Sequence, residues 1–219
     1  LFSLFVCNME SQNQIVLAIG SNEGDRLKNI INAITQLHQE VGTVVKVSKL
    51  YETPAWGFDS EPFYNCALVM NSMLSAQIIL EKVLQLETTL GRVRSDSNNY
   101  QSRVIDIDVI AYNEDIIQTD SLQVPHPLMQ DRIFFFVPMR DLNLDWRHPI
   151  LQKFLPELLK ISEDKSSYKV IQNLEFPLQK IQLNHFNYIA IEGNIGVGKT
   201  TLTHKIAQDF NAKSVKERF

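Results

Sequence analysis

The sequence has few cysteines, no basic excess and no long apolar run, and each shortage argues against a class of protein. Only Cys7 and Cys66 occur in 219 residues, and neither belongs to a CxxC or Cys/His pattern, so we expect neither a disulfide framework nor a zinc site. The formal net charge of −4 argues against a nucleic-acid partner. No apolar run approaches the roughly 20 residues of a membrane span, so we expect no membrane partner. The absence of a signal-peptide pattern and of a disulfide framework predicts a cytoplasmic location.

The order of apolar and polar stretches predicts four segments. We expect residues 1–13 to lie outside the fold and Met9 to be the natural start. Residues 14–161 are predicted to form one domain, and the polar stretch EDKSS at 163–167 marks its end. Residues 162–187 are predicted to be a linker, with a short edge hairpin over 168–187 as the alternative. Residues 188–219 then begin a second unit.

Hydrophobic periodicity predicts a ferredoxin-like fold for residues 14–161. Strands are predicted over residues 14–19, 44–51, 63–70 and 103–112. Two amphipathic helices, ended by Gly42 and Gly91, separate them, and Ser75 is the predicted N-cap of the second. Their predicted buried positions are Leu27, Ile30, Ile31, Ile34, Leu37 and Val41, and then Ile78, Ile79, Val83, Leu86 and Leu90. The resulting βαββαβ order indicates an α+β fold, an antiparallel sheet with both helices on one face, and a further helix is predicted over 151–161.

The last predicted strand carries a pair of carboxylates. Side chains of a strand alternate between faces, so Asp106 and Asp108 share one face, roughly 6.6 Å apart along the strand. Two such carboxylates repel each other, and a bound Mg²⁺ ion would relieve the repulsion. Mg²⁺ commonly binds one or two carboxylates together with substrate phosphates. A solvated strand face with two ordinary acids is the alternative.

An arginine-rich segment precedes this strand. Arg92, Arg94 and Arg103 flank a polar stretch whose only acid is Asp96. Guanidinium groups bind phosphate through paired hydrogen bonds, so arginines beside two metal-binding acids are typical of a nucleoside triphosphate site. Residues 92–102 have the composition of a mobile loop that closes over bound substrates. A solvated loop is the alternative.

Six motifs occur in an order that resembles one enzyme family. They are AIGSN (18–22), ETPAWG (52–57), FYNCAL (63–68), GRVR (91–94), SRVIDIDVI (102–110) and VPHPLMQDRIFF (124–135). Together they resemble the hydroxymethyl-dihydropterin pyrophosphokinases of folate biosynthesis, over about residues 14–149. Each motif alone is weak, but the ordered set is specific.

The resemblance implies transfer of pyrophosphate from ATP to the pterin hydroxymethyl group, with release of AMP. It places two Mg²⁺ ions on Asp106 and Asp108 and adds Glu87 to the nucleotide site. The implied phosphate contacts are Arg92, Arg94, Arg103, His126 and Arg132, of which Arg92, Arg94 and Arg103 act with the two aspartates in catalysis. For the pterin, the resemblance implies a hydrogen bond from Asn65, ring packing by Phe63 and Phe134, and a pocket rim of Thr53, Pro54 and Trp56.

A second phosphate-binding motif lies near the end of the sequence. GNIGVGKT, residues 193–200, fits GxxxxGK[ST] and stands between a predicted strand at 188–192 and a predicted helix at 201–210. Gly193 and Gly198 would shape the loop, Lys199 would reach phosphate oxygens and Thr200 would bind Mg²⁺. The stretch resembles the opening of deoxynucleoside kinases. We expect a fusion in which this chain holds only the start of that kinase.

Three functions therefore remain open: a pterin pyrophosphokinase, a nucleoside kinase for which the first domain is accessory, and a non-enzymatic binding domain. Residues 188–219 are too few to bury a core of their own, because domains below about 40 residues usually need added cross-links. The second function thus depends on a domain that these residues only begin.

We expect this chain to leave deoxynucleosides unphosphorylated, because its second motif lacks a domain to hold a nucleoside. The measurement is chromatography of nucleotide products after incubation with Mg-ATP and each deoxynucleoside. The same preparation incubated with the hydroxymethyl pterin is the positive control. ADP formed in proportion to added deoxynucleoside would contradict the prediction.

Overall fold

The computed structural model describes residues 12–93 and 101–174, together with Thr200, Thr203, His204 and Ala207. The chain divides into two units, Leu1–Phe176 and Pro177–Phe219. In the second unit the four described residues are helical, within or beside the predicted helix 201–210. Gly193, Gly198 and Lys199 lie outside the described residues, as does the predicted strand at 188–192.

The first unit contains eight strands and four α-helices among its described residues. The strands are β1 (Asn13–Ser21), β2 (Thr43–Val47), β3 (Leu50–Thr53), β4 (Phe63–Ser72), β5 (Asp106–Tyr112), β6 (Ile117–Gln118), β7 (Gln123–Val124) and β8 (Lys169–Gln172). The helices are α1 (Arg26–Glu40), α2 (Ala76–Thr89), α3 (Ile133–Asp141) and α4 (Leu155–Ile161), with a short 3₁₀ helix at Met129–Asp131.

Six strands form one antiparallel sheet. Its order is β5-β1-β4-β3-β8, and β2 also pairs with β4. The predicted strand 44–51 is divided into β2 and β3 at Ser48, whose hydroxyl accepts from the Ala67 amide at 2.9 Å. The predicted antiparallel sheet is confirmed.

Helices cover both faces of the sheet. Ile15, Leu17 and Ile19 of β1 face a core that includes the buried sides of α1 and α2. Val16 and Ala18 face the other core, which includes α3 and α4. The prediction that the first two helices share one face is confirmed, and the opposite face carries the cavity described below.

Two sequence predictions need correction, and one helix was not predicted. Ile31 and Ile78 were assigned to buried helix faces, but they are 45% and 42% exposed because their neighbours Ile30 and Ile79 take the inward positions. The segment 162–187 was predicted to be a linker, yet Lys169–Gln172 forms β8 at the sheet edge beside β3, nearer to the hairpin alternative. Helix α3 was not predicted.

The described helices include none that is both long and apolar enough to cross a membrane. The longest, α1, has 15 residues and a polar outer face.

Gly42 lies where the chain turns from α1 into β2 against β4. A Cβ atom there would lie 2.3 Å from the Asn71 carbonyl oxygen and 2.9 Å from the Ser72 Cβ, so the backbone would have to move. We expect Gly42→Ala to lower the free energy of unfolding by about 2 kcal/mol, a typical cost of overpacking. Urea denaturation measures it, with Glu40→Ala as the exposed control. Equal stability of both variants would contradict this packing.

Candidate active site

One row of residues crosses three neighbouring strands of the sheet, β4, β1 and the edge strand β5, at the floor of a cavity. In the sheet register Gly20 of β1 pairs with Asn65 of β4 on one side and with Asp106 of β5 on the other. In the next row on the same face, Ala18 pairs with Ala67 and with Asp108. Small residues on the central strand therefore leave open space between the amide and the two carboxylates.

The cavity above this row has a volume of about 540 Å³, including its open mouth. Aromatic side chains and backbone of β1 form its apolar walls, and charged groups stand at one end. Its lining residues are Ala18, Ile19, Gly20, Thr53, Pro54, Trp56, Phe58, Phe63, Asn65, Arg103, Asp106, Asp108, Arg132, Phe134 and Phe135. An apolar cleft with a few convergent polar groups is the usual form of a small-molecule site.

The amide of Asn65 is held at the apolar end. It is 6% exposed, and its Nδ2 donates to the Thr53 hydroxyl at 2.9 Å. A Cβ atom on Gly20 would lie 2.9 Å from the Asn65 Oδ1 atom. Gly20 thus makes room for the side chain that the sequence assigned to pterin binding.

Arginines neutralise Asp106. Arg92 pairs with its Oδ1 atom, and Arg103 Nη1 lies 2.6 Å from its Oδ2 atom. Asp106 nevertheless lines the cavity. The two predicted phosphate-binding arginines therefore stand beside a predicted metal ligand.

Glu87 lies behind this cluster, and its place in the nucleotide site stays a prediction. It is 1% exposed and is absent from the cavity wall. One carboxylate oxygen accepts from the Ile107 amide of edge strand β5 at 2.8 Å and also pairs with Arg92. We infer that Glu87 fixes β5 and Arg92 relative to each other.

Asp108 is the member of the pair whose ionised form is disfavoured. Burial, together with the negative charges of Asp106 and Glu87, raises its pKa to about 8 against the opposing effect of Arg132 and Arg103. A carboxylate in this state gains from any cation that enters the cavity.

Arg132 lies at the start of α3 between the aromatic walls. It is 9% exposed, lines the cavity, and places its guanidinium 4.6 Å from the centre of the Trp56 ring. Phe134 lies in the same wall. The contact joins a predicted phosphate ligand to a predicted pterin-rim residue.

His126 stands behind the cavity wall. Its ring packs edge-on against Phe135 at 5.0 Å, and its Nδ1 atom accepts from the Leu128 amide at 3.2 Å. Burial and the charge of Arg132 lower its pKa to about 4. The imidazole is therefore neutral at pH 7 and can offer a phosphate only an Nε2–H hydrogen bond, and it is not among the residues that line the cavity.

Asn22 connects two loops beside the cavity. Its Oδ1 atom accepts from the Arg103 amide at 2.8 Å, and its Nδ2 donates to the Ser60 hydroxyl at 3.0 Å and the Glu61 carbonyl at 3.1 Å. Ser60 and Ser102 share a hydrogen bond of 2.6 Å. The loop that carries Trp56 is thereby tied to the segment that carries Arg103.

The cavity brings together most of the predicted site. Thr53, Pro54, Trp56, Phe63, Asn65, Arg103, Asp106, Asp108, Arg132 and Phe134 line it. Glu87, Arg92 and His126 do not, although all three contact groups next to it. Arg94 and most of the predicted mobile loop 92–102 lie outside the described residues.

Sequence reasoning missed Gly20, Phe58, Phe135 and the connecting role of Asn22. Gly20 and Asn22 stand in the quoted AIGSN motif, so their position was a usable signal. Phe58 packs edge-on against Phe63 at 6.3 Å, a contact that no local pattern predicts.

The donor set fits magnesium bound together with a phosphate ligand. Asp106 and Asp108 line one cavity and share one strand face. Within the described ranges no three or more His, Cys, Asp or Glu side chains are grouped to hold a metal alone. Mg²⁺ commonly takes one or two carboxylates, with water and phosphate oxygens as its other ligands, so two protein carboxylates suffice.

The part of the chain that forms the cavity is similar to known proteins. The family described as 7,8-dihydro-6-hydroxymethylpterin-pyrophosphokinase (HPPK) matches residues 16–144. The chain is 40% identical over 146 residues to Folic acid synthesis protein FOL1 of Dictyostelium discoideum, covering 66% of this chain and 22% of that protein. It is 37% identical over 144 residues to 2-amino-4-hydroxy-6-hydroxymethyldihydropteridine pyrophosphokinase of Aquifex aeolicus, covering 65% of this chain and 88% of that one.

The fold is also similar to solved structures. A crystal structure of wild-type Plasmodium falciparum HPPK-DHPS superposes with a TM-score of 0.55 at 13% identity, covering 70% of this chain and 44% of that one. The chain thus spans less than half of the two longer proteins, FOL1 and HPPK-DHPS, and most of the Aquifex enzyme.

Asp108 makes the ligand-free protein less stable as the pH rises. Its folded pKa of about 8 lies above the ordinary value near 3.9, so the folded state holds the extra proton and stability falls between those values. We expect Asp108→Asn to raise the Tm at pH 8.5 and to change it little at pH 4, measured by thermal denaturation in EDTA. Asp120→Asn, at an exposed turn, is the control. A Tm difference independent of pH would contradict the assignment.

Proposed function

The chain belongs to the 7,8-dihydro-6-hydroxymethylpterin-pyrophosphokinase family, and from this premise we propose that its first unit transfers pyrophosphate from ATP to 6-hydroxymethyl-7,8-dihydropterin in folate biosynthesis. The products are AMP and the pterin diphosphate. The single observation that carries the proposal is the row Asn65–Gly20–Asp106, which joins an amide site for a flat ring to a carboxylate site for metal and phosphate.

The apolar end of the cavity suits a pterin. Phe63, Phe134 and Trp56 offer aromatic surfaces for a flat ring, and the Asn65 amide can hydrogen-bond to the ring edge. Thr53 orients that amide by accepting one of its hydrogens. Pro54 completes the rim. The hydroxymethyl group of a ring bound there would extend along Gly20 towards Asp106.

The charged end suits the triphosphate of ATP. Arg103 and Arg132 line the cavity, and Arg92 reaches Asp106 from behind. We propose that these groups, with Arg94, neutralise charge on the transferred phosphates, and that His126 contributes a hydrogen bond. Asp106 and Asp108 would hold two Mg²⁺ ions, whose chemistry there is to neutralise phosphate charge.

The reaction itself needs alignment more than acid–base help. The hydroxymethyl oxygen bonds to the β-phosphorus, the bond from that phosphorus to the α–β bridging oxygen breaks, and AMP leaves with that oxygen. The hydroxyl proton passes to solvent. The chain contributes by holding both substrates in line and by placing positive charge where negative charge moves.

For the second unit we propose only that it begins a P-loop kinase. GNIGVGKT and the helical residues Thr200, Thr203, His204 and Ala207 are compatible with the opening strand, loop and helix of a P-loop kinase. The relatives described above are pterin pyrophosphokinases or folate synthesis proteins, and none is a nucleoside kinase. The alternative function, a deoxynucleoside kinase, therefore rests on the motif alone.

Cytoplasmic location also stays a prediction.

The deciding experiment incubates the protein with Mg-ATP and 6-hydroxymethyl-7,8-dihydropterin and separates the nucleotide products. We expect AMP from the wild type and a loss of at least about 100-fold in Asp106→Asn, because the variant removes one carboxylate that would hold the metal neutralising the transferred phosphates. Far-ultraviolet circular dichroism checks that the variant is folded.

Two controls separate the candidate functions. Asp115→Asn changes an exposed aspartate outside the cavity, and Lys199→Ala changes the second phosphate-binding motif. Both should form AMP at the wild-type rate. Full activity in Asp106→Asn, or dependence of AMP formation on Lys199, would overturn the proposed site, and no AMP from the wild type would favour the non-enzymatic alternative.

A further inference from the structure

The chain that follows α4 returns to the start of α3. Asp164 Oδ2 accepts from the Ile133 amide, the first N–H of α3, at 2.9 Å. Asp164 Oδ1 accepts from the Ser166 amide at 2.8 Å, so its own turn orients the carboxylate. Burial alone would raise the pKa of Asp164, but hydrogen bonds from the Ser166 side chain and from these two amides, together with the charge of Lys165, outweigh burial and lower it, so the group is ionised at neutral pH.

This contact fixes the peptide unit between Arg132 and Ile133. Arg132 precedes α3 in an extended conformation, at φ −134° and ψ 106°, and its own side chain does not cap the helix. The first turn of α3 has no acidic residue. Asp164 therefore supplies both the hydrogen-bond acceptor and the negative charge that a helix N-terminus favours.

The same segment reaches a second side of the cavity. In the β3–β8 pairing Tyr51 lies opposite Val170 and Glu52 opposite Lys169, and the ring of Tyr168 packs edge-on against Tyr51 at 5.9 Å. The next residue of β3 is Thr53, which orients Asn65. Residues 162–174 thus contact the backbone beside both Arg132 and Thr53.

We propose that residues 162–174 are a positioning segment for the active site, and that Asp164 is its principal positioning residue, holding Arg132 towards the phosphates of ATP through the Arg132–Ile133 peptide. The segment lies after residue 144, where the family match ends. The proposal rests on the proposed function in one respect, the assignment of Arg132 to phosphate. Its geometric part, the hold on Arg132, stands without it.

A merely structural role would be to stabilise α3, and the chain offers a matched control for that role. Lys46 Nζ donates to the Leu142 carbonyl at 2.9 Å, at the opposite end of the same helix. Lys46→Ala therefore removes one charged contact from α3 without touching Arg132. Glu163→Ala, at an exposed neighbour of Asp164, controls for the turn itself.

The kinetic test measures kcat and KM for ATP at saturating pterin in Asp164→Ala, Asp164→Asn, Lys46→Ala and Glu163→Ala. We expect Asp164→Ala to raise the KM for ATP about tenfold, equivalent to about 1.4 kcal/mol of lost binding. Asp164→Asn, which keeps an acceptor without the charge, should give a smaller increase. Lys46→Ala and Glu163→Ala should stay within about twofold of wild type even where Lys46→Ala lowers the Tm equally.

A second readout does not need turnover. Trp56 is 37% exposed and contacts Arg132, whereas the other tryptophan, Trp146, is 4% exposed, so acrylamide quenching of tryptophan emission reports mainly on Trp56. We expect quenching to change in Asp164→Ala, and in the same direction in Asp164→Asn, but not in Lys46→Ala. If Asp164→Ala is too unstable to assay, Asp164→Asn carries the quenching test instead.

The outcomes distinguish this proposal from the proposed function. An active wild type whose two Asp164 variants match Lys46→Ala in both KM and quenching would overturn the positioning role. A wild type that forms no AMP would refute the proposed function, and the quenching result would still decide whether Asp164 holds Arg132. Unchanged quenching in both Asp164 variants overturns the positioning role in either case.

Discussion

Repulsion between two carboxylates on one face of β5 is the constraint around which the site is built. Asp106 pairs with Arg92 and Arg103, whereas Asp108 keeps a raised pKa of about 8 despite the nearby arginines. Glu87, itself buried, adds negative charge while it fixes Arg92 and the Ile107 amide. Burial and these neighbouring acids therefore disfavour the ionised form of Asp108 in the ligand-free protein, and a cation arriving with a polyphosphate would favour it.

The sheet keeps this charged cluster next to an apolar pocket. On one face of the sheet, the residues of β1 pack on α1 and α2. Ala18 and Gly20 lie on the other face and form the floor of the cavity. Larger side chains there would fill the space, as the 2.9 Å approach of a Cβ on Gly20 to Asn65 shows. Aromatic residues from the 54–62 loop and from α3 then close the sides.

Local patterns predicted the parts of this arrangement that depend on neighbours in sequence. Strand alternation placed Asp106 and Asp108 on one face, and helical periodicity located α1 and α2. Helix α3 was missed because apolar residues surround it, because Pro138 interrupts its pattern, and because its first amide is satisfied by Asp164, 31 residues away. The covered position of Glu87 was missed for the same reason, since its partner at Ile107 is 20 residues distant. The family motifs supplied Asn65, Arg132 and the aromatic residues, which periodicity alone would have assigned to the core.

The row of Asn65, Gly20 and Asp106 spans three hydrogen-bonded strands, so two strand spacings, about 10 Å, separate its ends. Backbone pairing, rather than any loop, sets that length. Substitutions and insertions in the surrounding loops can therefore alter the walls of the cavity, but they leave the span between the Asn65 amide and the Asp106 carboxylate set by the strands.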